Sequence, residues 1–359
     1  MSEISKVFTA EKFVATYSVE HSHEGWRLDQ FVQFCVPNLS RQYLKSKIEK
    51  GEVEISGRRP PHKPSVKVHA REIVTITTHN DSITDDEHWY GAPVPKTEEP
   101  SIIFEDENLL VINKPPFMLT HPAGKNLFYC ATVWYETRFK NPIHTIHRID
   151  RETTGILLLA KNPRTAEKIT TLFEKDQIRK CYLFIAKKNH SVTPFPFTAY
   201  ERMDRDESRI PQGIISWWNK DSSQGKAAQT HFEEVMDLGD YVVALAFPVT
   251  GRQHQIRVHA SAHGYPLLGD KLYNGDSSIF MRFKDGTPTE IDHQLMEIPR
   301  QALHAVALKL TYPHQDYTHF ISTVPKDLGD WLREKHQVDL EDLSQSIRQK
   351  IEVFFKENK

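Results

Sequence analysis

Cysteine is scarce in this chain. Three cysteines stand among 359 residues, at Cys35, Cys130 and Cys181, scattered and odd in number, with no CxxC pair. That pattern argues against structural disulfides and structural zinc, and makes a reducing cytoplasm the expected compartment. Long apolar runs are missing as well. No stretch approaches the roughly 18 residues that a membrane helix needs, and the opening MSEISKVFTAEKFVATYSVE lacks the apolar core of a secretory leader. Neither sign of charge dominates, the net charge being −2. What remains, 38% hydrophobic and 26% charged, describes a globular protein too long for one compact core, so two or three domains are expected.

The small net charge conceals a local imbalance. Between Arg27 and Glu72 ten Lys/Arg stand against five Asp/Glu, whereas between Asp81 and Glu107 nine acids stand against one lysine. A basic module is followed by an acidic connector. In the basic module Leu28, Phe31 and Val32 follow helical spacing. Ser40 is placed to cap a second helix, which carries Tyr43, Leu44 and Ile48 and stops at Gly51. EVEIS and EIVTITT then alternate as short strands around the turn SGRRPP. Residues 80–100, with an acid run and Pro93, Pro95 and Pro100, read as a linker.

From Ser101 onward strands outnumber helices, so a mixed α+β architecture is expected. GILLLAKN reads as a buried strand, and Asn162-Pro163 opens a helix with Ala166, Ile169, Leu172 and Phe173 on one face. At the mouth of that strand stands HRIDRETT, which places Asp150 between Arg148 and Arg151. Extended geometry would turn Arg148 and Asp150 to one face and His147, Ile149 and Arg151 to the other. A carboxylate at the end of a core strand needs a cationic partner. The cluster GRQHQIRVHASAHG offers Arg252 and Arg257. The residues alone leave two readings of Asp150 open, a structural ion pair and a catalytic carboxylate.

Four segments, in order, supply a resemblance. IIFEDENLLVINKPPFMLTHP, HRIDRETTGILLLAKN, GRQHQIRVHASAHGYPLLGDKLY and RQALHAVALKLTYPH resemble the motifs of the RluA-type pseudouridine synthases, with Ile149 and Thr154 as mild departures. The resemblance spans roughly Ser101 to Pro325 and implies an α+β, mostly antiparallel catalytic domain that isomerises uridine in RNA without a cofactor or metal. It implies Asp150 as the catalytic aspartate, Arg257 as its basic partner, and Tyr182 as the tyrosine that stacks on the uracil. Arg148 would fill the space of the flipped nucleotide, with Arg151, Arg252 and His254 as further RNA contacts. The basic module resembles an S4 RNA-binding domain, departing at Ser56-Gly57 and at HAREI. That likeness implies phosphate contacts from Arg41, Lys45 and Lys47.

The implied division is an S4-like domain with an N-terminal extension over 1–79, a linker over 80–100, a catalytic domain over 101–330 and an amphipathic C-terminal helix over 331–359. Large-subunit (23S-type) ribosomal RNA is the implied substrate, and tRNA the second choice. A monomer free of membranes is expected. A glycoside hydrolase would need a second carboxylate across the bond, for which only Glu152 stands near. Histidines at 144, 147, 254, 259 and 263 have spacings that put few rings together for a metal. An inactive RNA-binding or ribosome-assembly protein would be expected to lack Asp150, Tyr182 or Arg257, and all three are present.

Overall fold

The protein is described here as a computed structural model covering residues 2–9, 11–36, 40–80, 88–90, 92–94, 98–123, 126–209, 214–274, 276–312 and 317–357. The chain divides into two compact units. The first comprises 1–88 with 121–143, and the second 89–120 with 144–359. The excursion 121–143 thus folds with the first unit, although in sequence it stands inside the segment 101–330. Of the expected linker, residues 81–87, 91 and 95–97 lie outside the described residues.

The first unit holds strands β1 (Ser2–Phe8), β2 (Lys12–Ser18), β3 (Val53–Ile55) and β4 (Ile73–His79) in one antiparallel sheet of order β1-β2-β4-β3. Helices α1 (Leu28–Cys35) and α2 (Arg41–Glu49) accompany it, with α3 (Ala131–Phe139) from the excursion. Ser40 caps α2 as its position suggests, its hydroxyl accepting from the Tyr43 amide at 3.3 Å. Leu28, Phe31, Val32, Leu44 and Ile48 are completely buried, together with Ala15, Val53 and Val74 from the sheet. The first two strands were expected only as an N-terminal extension. They are integral to this core, because Phe13, Ala15 and Tyr17 alternate inward.

The ribbon β5 (His88–Trp89) and β6 (Ala92–Pro93) precedes the main sheet. The second unit continues with β7 (Ser101–Glu105), β8 (Leu109–Lys114), β9 (His144–Thr145), β10 (Thr154–Ala160), α4 (Pro163–Glu174), β11 (Arg179–Lys187), β12 (Phe197–Ala199), β13 (Arg202–Asp206) and β14 (Ile214–Trp218). Then come β15 (Thr230–Leu238), β16 (Tyr241–Pro248), α5 (Gln255–Ala262), α6 (Ser277–Lys284), α7 (Glu290–Met296), β17 (Leu303–Thr311), β18 (Tyr317–Ile321), α8 (Lys326–His336) and α9 (Leu340–Glu357). The large sheet runs β12-β15-β16-β11-β17-β10-β8-β7, with β9 beside β10 and β18 beside β17. Its central pair β10–β17 is parallel and its neighbours are antiparallel.

Every residue of β10 is buried, as an uninterrupted Ile-Leu-Leu-Leu-Ala run requires. The strand enters beside β17 through Gly155 at φ 104°, where a Cβ would stand 2.3 Å from the Ala305 carbonyl oxygen. The chain end differs from the expected single helix. A left-handed residue, Gln337 at φ 55°, closes α8, and the Asp339 carboxylate accepts from the amides of Glu341 and Asp342 as α9 starts. Leu328, Trp331, Leu343, Ile347, Ile351 and Phe355 from these two helices join the core of β11 and β16. Among the described residues no helix is long and apolar enough to cross a membrane.

Candidate active site

A cavity of about 650 Å³ opens in the second unit where the chain entering β10 meets β11 and the loop before α5. Asp150, Arg257, Tyr182, Arg148, Arg252 and His254 all line it, so six residues taken from three separate sequence segments converge. The stretch before β10 is irregular rather than extended. His147 and Ile149 consequently face the same cavity as Arg148 and Asp150, against the alternation expected for a strand.

Arg257 organises the charges. On α5 its side chain is 7% exposed and divides between two carboxylates. Nε and Nη2 donate to Asp270 Oδ2 and Oδ1 at 2.6 and 2.8 Å, while Nη1 donates to Asp150 Oδ2 at 3.1 Å. Asp270 is wholly buried and also accepts from the Leu272 and Tyr273 amides. The bidentate fork fixes the guanidinium plane, and the remaining nitrogen holds Asp150. Gln301 Nε2 donates to Thr153 Oγ1 at 2.8 Å and reaches Asp150 Oδ2 at 3.4 Å.

The Asp150 side chain keeps 26% of its surface exposed, on the cavity side. Burial pushes its carboxyl upward, but His254, charged in the acid range where a carboxyl titrates, the Arg257 charge and the hydrogen bonds from Arg257 and Gln301 outweigh this, and it lies below the usual carboxylate range. It is therefore ionised at neutral pH. His254, left-handed at φ 56° just before α5, sits with Nε2 3.9 Å from Asp150 and shares Nδ1 with the Tyr273 hydroxyl at 2.8 Å. Burial and Arg257 lower its pKa to about 4, so the ring is neutral at pH 7. Burial and the Asp150 charge push the Tyr182 hydroxyl upward, which keeps it protonated.

The comparisons with known proteins agree with this arrangement. The model of the family described as RNA pseudouridylate synthase matches residues 108–262, which contain Asp150, Tyr182 and Arg257. Ribosomal large subunit pseudouridine synthase D of Vibrio vulnificus is 30% identical over 331 residues, covering 89% of this chain and 94% of that protein. The chain belongs to the RNA pseudouridylate synthase family. The mitochondrial tRNA pseudouridine(32) synthase of Saccharomyces cerevisiae is 29% identical over 70% of this chain and 52% of its own length. The solved human RNA pseudouridylate synthase domain containing 1 shares the fold, with a TM-score of 0.52, 21% identity, and coverage of 72% of this chain and 98% of that one.

In this RNA pseudouridine synthase some expected contacts are placed elsewhere. Arg151 is buried, donates Nε to the Phe117 carbonyl at 2.8 Å, and lies 4.4 Å over the Trp89 ring. It braces the wall behind Asp150 rather than lining the cavity. Glu152 is equally committed. It accepts from the Trp89 indole at 2.7 Å, Lys271 at 3.1 Å and the Gln301 amide at 2.9 Å, so it is no second free carboxylate for glycosidic hydrolysis. Arg252 donates to the Ala227 carbonyl at 3.0 Å while bordering the cavity. In the first unit Arg41 is exposed and Lys45 half-buried, but Lys47 is only 2% exposed and paired with Glu52. It lies three residues after Leu44, on the inward side of α2, where it is turned away from solvent, contrary to the expectation that it meets phosphates.

Sequence reading missed Asp270, Gln301 and Tyr273. The signal for Asp270 was a Gly-Asp-Lys following an apolar pair, LLGDK, and it acquires meaning only once Arg257 is seen beside it. Gly269, at φ 72°, turns the chain there. Lys114 is another missed residue, wholly buried and donating to the carbonyls of Pro115, Met118 and Arg151 at 2.8–3.1 Å. It ties the end of β8 to the chain just past Asp150. Burial holds its pKa well below the usual lysine value. Among the described residues no group of three or more His, Cys, Asp or Glu is arranged to hold a metal.

Proposed function

We propose that this enzyme converts uridine to pseudouridine in large-subunit ribosomal RNA, with Asp150 as the catalytic carboxylate. The observation that carries the reading is the pairing of Asp150 with Arg257 at the wall of an open cavity. An ionised carboxylate with one face free and its orientation fixed from behind can act as a nucleophile toward the sugar or as a base. Tyr182 borders the same cavity, where its ring would stack on an extruded base and offset part of the cost of unstacking. Arg148, exposed at the rim, is placed to occupy the vacated position in the RNA.

The isomerisation needs no outside reagent. The N1–C1′ bond breaks with its electron pair on the base, and a pair from the base then forms C5–C1′. The C5 proton leaves and N1 gains one, so composition and oxidation level are unchanged. Asp150→Asn should reduce turnover on uridine-containing RNA by at least about a thousandfold while affinity stays within a few-fold. Near-normal turnover in that variant would overturn the role.

The ribosomal target rests on the name and near full-length coverage of the Vibrio relative. The first unit, built on three helices and a small sheet and basic between Arg27 and Glu72, is read as an S4-like RNA-binding domain that brings the RNA to the second. A cytoplasmic monomer suits this reading. The yeast relative favours tRNA as the second target, although half of its length has no counterpart here. Mapping pseudouridines in ribosomal and transfer RNA from cells with and without the gene decides between them.

A further inference from the structure

Lys180 is a cavity cation that the network around Asp150 leaves unused. Lys180 stands two residues before Tyr182 on β11, so strand alternation turns both side chains to one side, and both line the cavity. Its ammonium sits 6.0 Å from the centre of the Phe173 ring. Its hydrogen bonds, to the carbonyls of Val249 and Thr250 at 3.5 and 3.4 Å, are at the long limit for such contacts. No carboxylate of the described residues pairs with it within 4.0 Å. Arg257, by contrast, is held by two carboxylates. Burial lowers the Lys180 pKa to about 8, against the opposing charge of Asp176. A half-desolvated ammonium with weak partners is costly to maintain, and an anionic occupant of the cavity would relieve that cost.

We propose that Lys180 is a further catalytic residue, whose ammonium donates to a carbonyl oxygen of the bound uracil and stabilises the negative charge left on the base when the N1–C1′ bond breaks. The proposal rests on the cavity being the place of isomerisation. As that bond breaks heterolytically, the pair remaining on the base spreads over N1 and both exocyclic oxygens. C5 then donates a pair to C1′, the C5 proton is lost, and N1 takes up a proton. The base is most anionic between those two events, when it is detached and must turn. A fixed cation in a partly dry cavity favours that anion far more than water-exposed charge does. Asp150 lines the same cavity from the chain before β10, and in this division of roles the carboxylate serves the sugar side and Lys180 the base side.

The test compares single-turnover rates at saturating RNA, RNA affinity and rate–pH profiles for the wild type, Lys180→Met, Lys180→Gln, Lys180→Arg and Asp150→Asn. The charged and titratable groups lining the cavity with Lys180 are Glu174 at the end of α4 and Asp176 after it, Tyr182 on β11, His147, Arg148 and Asp150 before β10, Arg252 and His254 before α5, and Arg257 on it. Of these, His254 titrates at about 4, and burial together with the Lys180 charge holds His147 at about 3, both far below the lysine. Lys180→Met and Lys180→Gln should slow the chemical step by about a hundredfold with affinity within about threefold, and Lys180→Arg should recover most of the rate. The wild-type rate should fall as pH rises through about 8, and this limb should move to higher pH in Lys180→Arg. Unchanged rates in the neutral variants would overturn the proposal. So would a loss confined to affinity, which marks a phosphate contact, or a limb that does not move in Lys180→Arg. Activity in Asp150→Asn would instead overturn the reading of the cavity itself.

Discussion

Two arginines, one in each unit, show how differently the same side chain is used. Arg41 opens α2 with 58% of its side chain exposed and touches Asp29 through a single nitrogen at 3.4 Å. Asp29 is already held by Arg27 at 2.9 and 3.1 Å, so Arg41 is nearly free to meet another anion. Arg257 is buried, and its donors are divided between Asp270 and Asp150. An exposed pair contributes little to stability and is screened by salt. A buried pair contributes chiefly by what its loss would leave behind. Arg41 thus offers charge to a partner, whereas Arg257 spends its charge orienting a carboxylate.

Removing the buried cation should break this contrast most visibly. Arg257→Ala leaves Asp270 buried with only backbone amides, which should cost about 3–5 kcal/mol in a denaturation measurement. Turnover should vanish with it, since Asp150 loses both orientation and its main stabilising charge. Arg257→Lys keeps a charge but not the fork and should restore stability more than activity. A stable, active Arg257→Ala enzyme would show that the pair serves neither purpose.

The pH response should also separate buried charges from exposed ones. Asp150 and Asp270 have lowered pKa values in the folded protein, so they favour folding above the usual carboxylate range and lose that contribution only as pH falls through their folded values. Histidine acts earlier. Burial, reinforced by the charge of Arg300, lowers His304 to about 3, and its Nδ1 shares a 2.9 Å hydrogen bond with Thr154. The unfolded chain binds that proton near pH 6.5 and the folded chain does not, so stability should be flat above about 6.5 and decline below it. By about pH 5 this single residue should cost about 2 kcal/mol, and because His147 and His254, held at about 3 and about 4, act in the same direction, His304→Gln should lessen the decline by about that amount without abolishing it. Urea midpoints between pH 8 and 5 that do not fall in the wild type would refute the assignment.

What was legible followed from local rules. Ser40, Asn162-Pro163 and the apolar run of β10 announced themselves, and the need of Asp150 for a cation pointed to Arg252 and Arg257, of which the family resemblance singled out Arg257. What was not legible depended on distant partners. β1 runs SEISKVF, a polar edge strand whose role appears only in its pairing with β2. Phe128 gives residues 121–143 their place in the first unit, and nothing near it in sequence says so. Asp270 is one of 48 acidic residues until Arg257 lies against it. Arg151 follows Asp150 in the same charged run yet turns to Phe117. Lys47 was within reach of sequence reasoning, because its spacing from Leu44 and Ile48 already put it on the inner face.

The smallest effects should come from the exposed residues, and they sharpen the comparison within one helix. Arg41 and Lys45 differ from Lys47 in exposure and hardly in sequence position. If the first unit meets RNA phosphates, Arg41→Gln and Lys45→Gln should each weaken binding to structured RNA and make the slope of log affinity against log salt shallower by about one. Folding stability should change by less than about 0.5 kcal/mol, since Arg27 continues to hold Asp29. Lys47→Gln should do the reverse, leaving the salt slope unchanged and lowering stability, because Glu52 loses the partner that the helix buries against it. Equal salt slopes for all three variants and the wild type would mean that these cations only solvate or brace α2. The RNA would then be held elsewhere, and the likeness of this unit to an RNA-binding domain would carry no binding role.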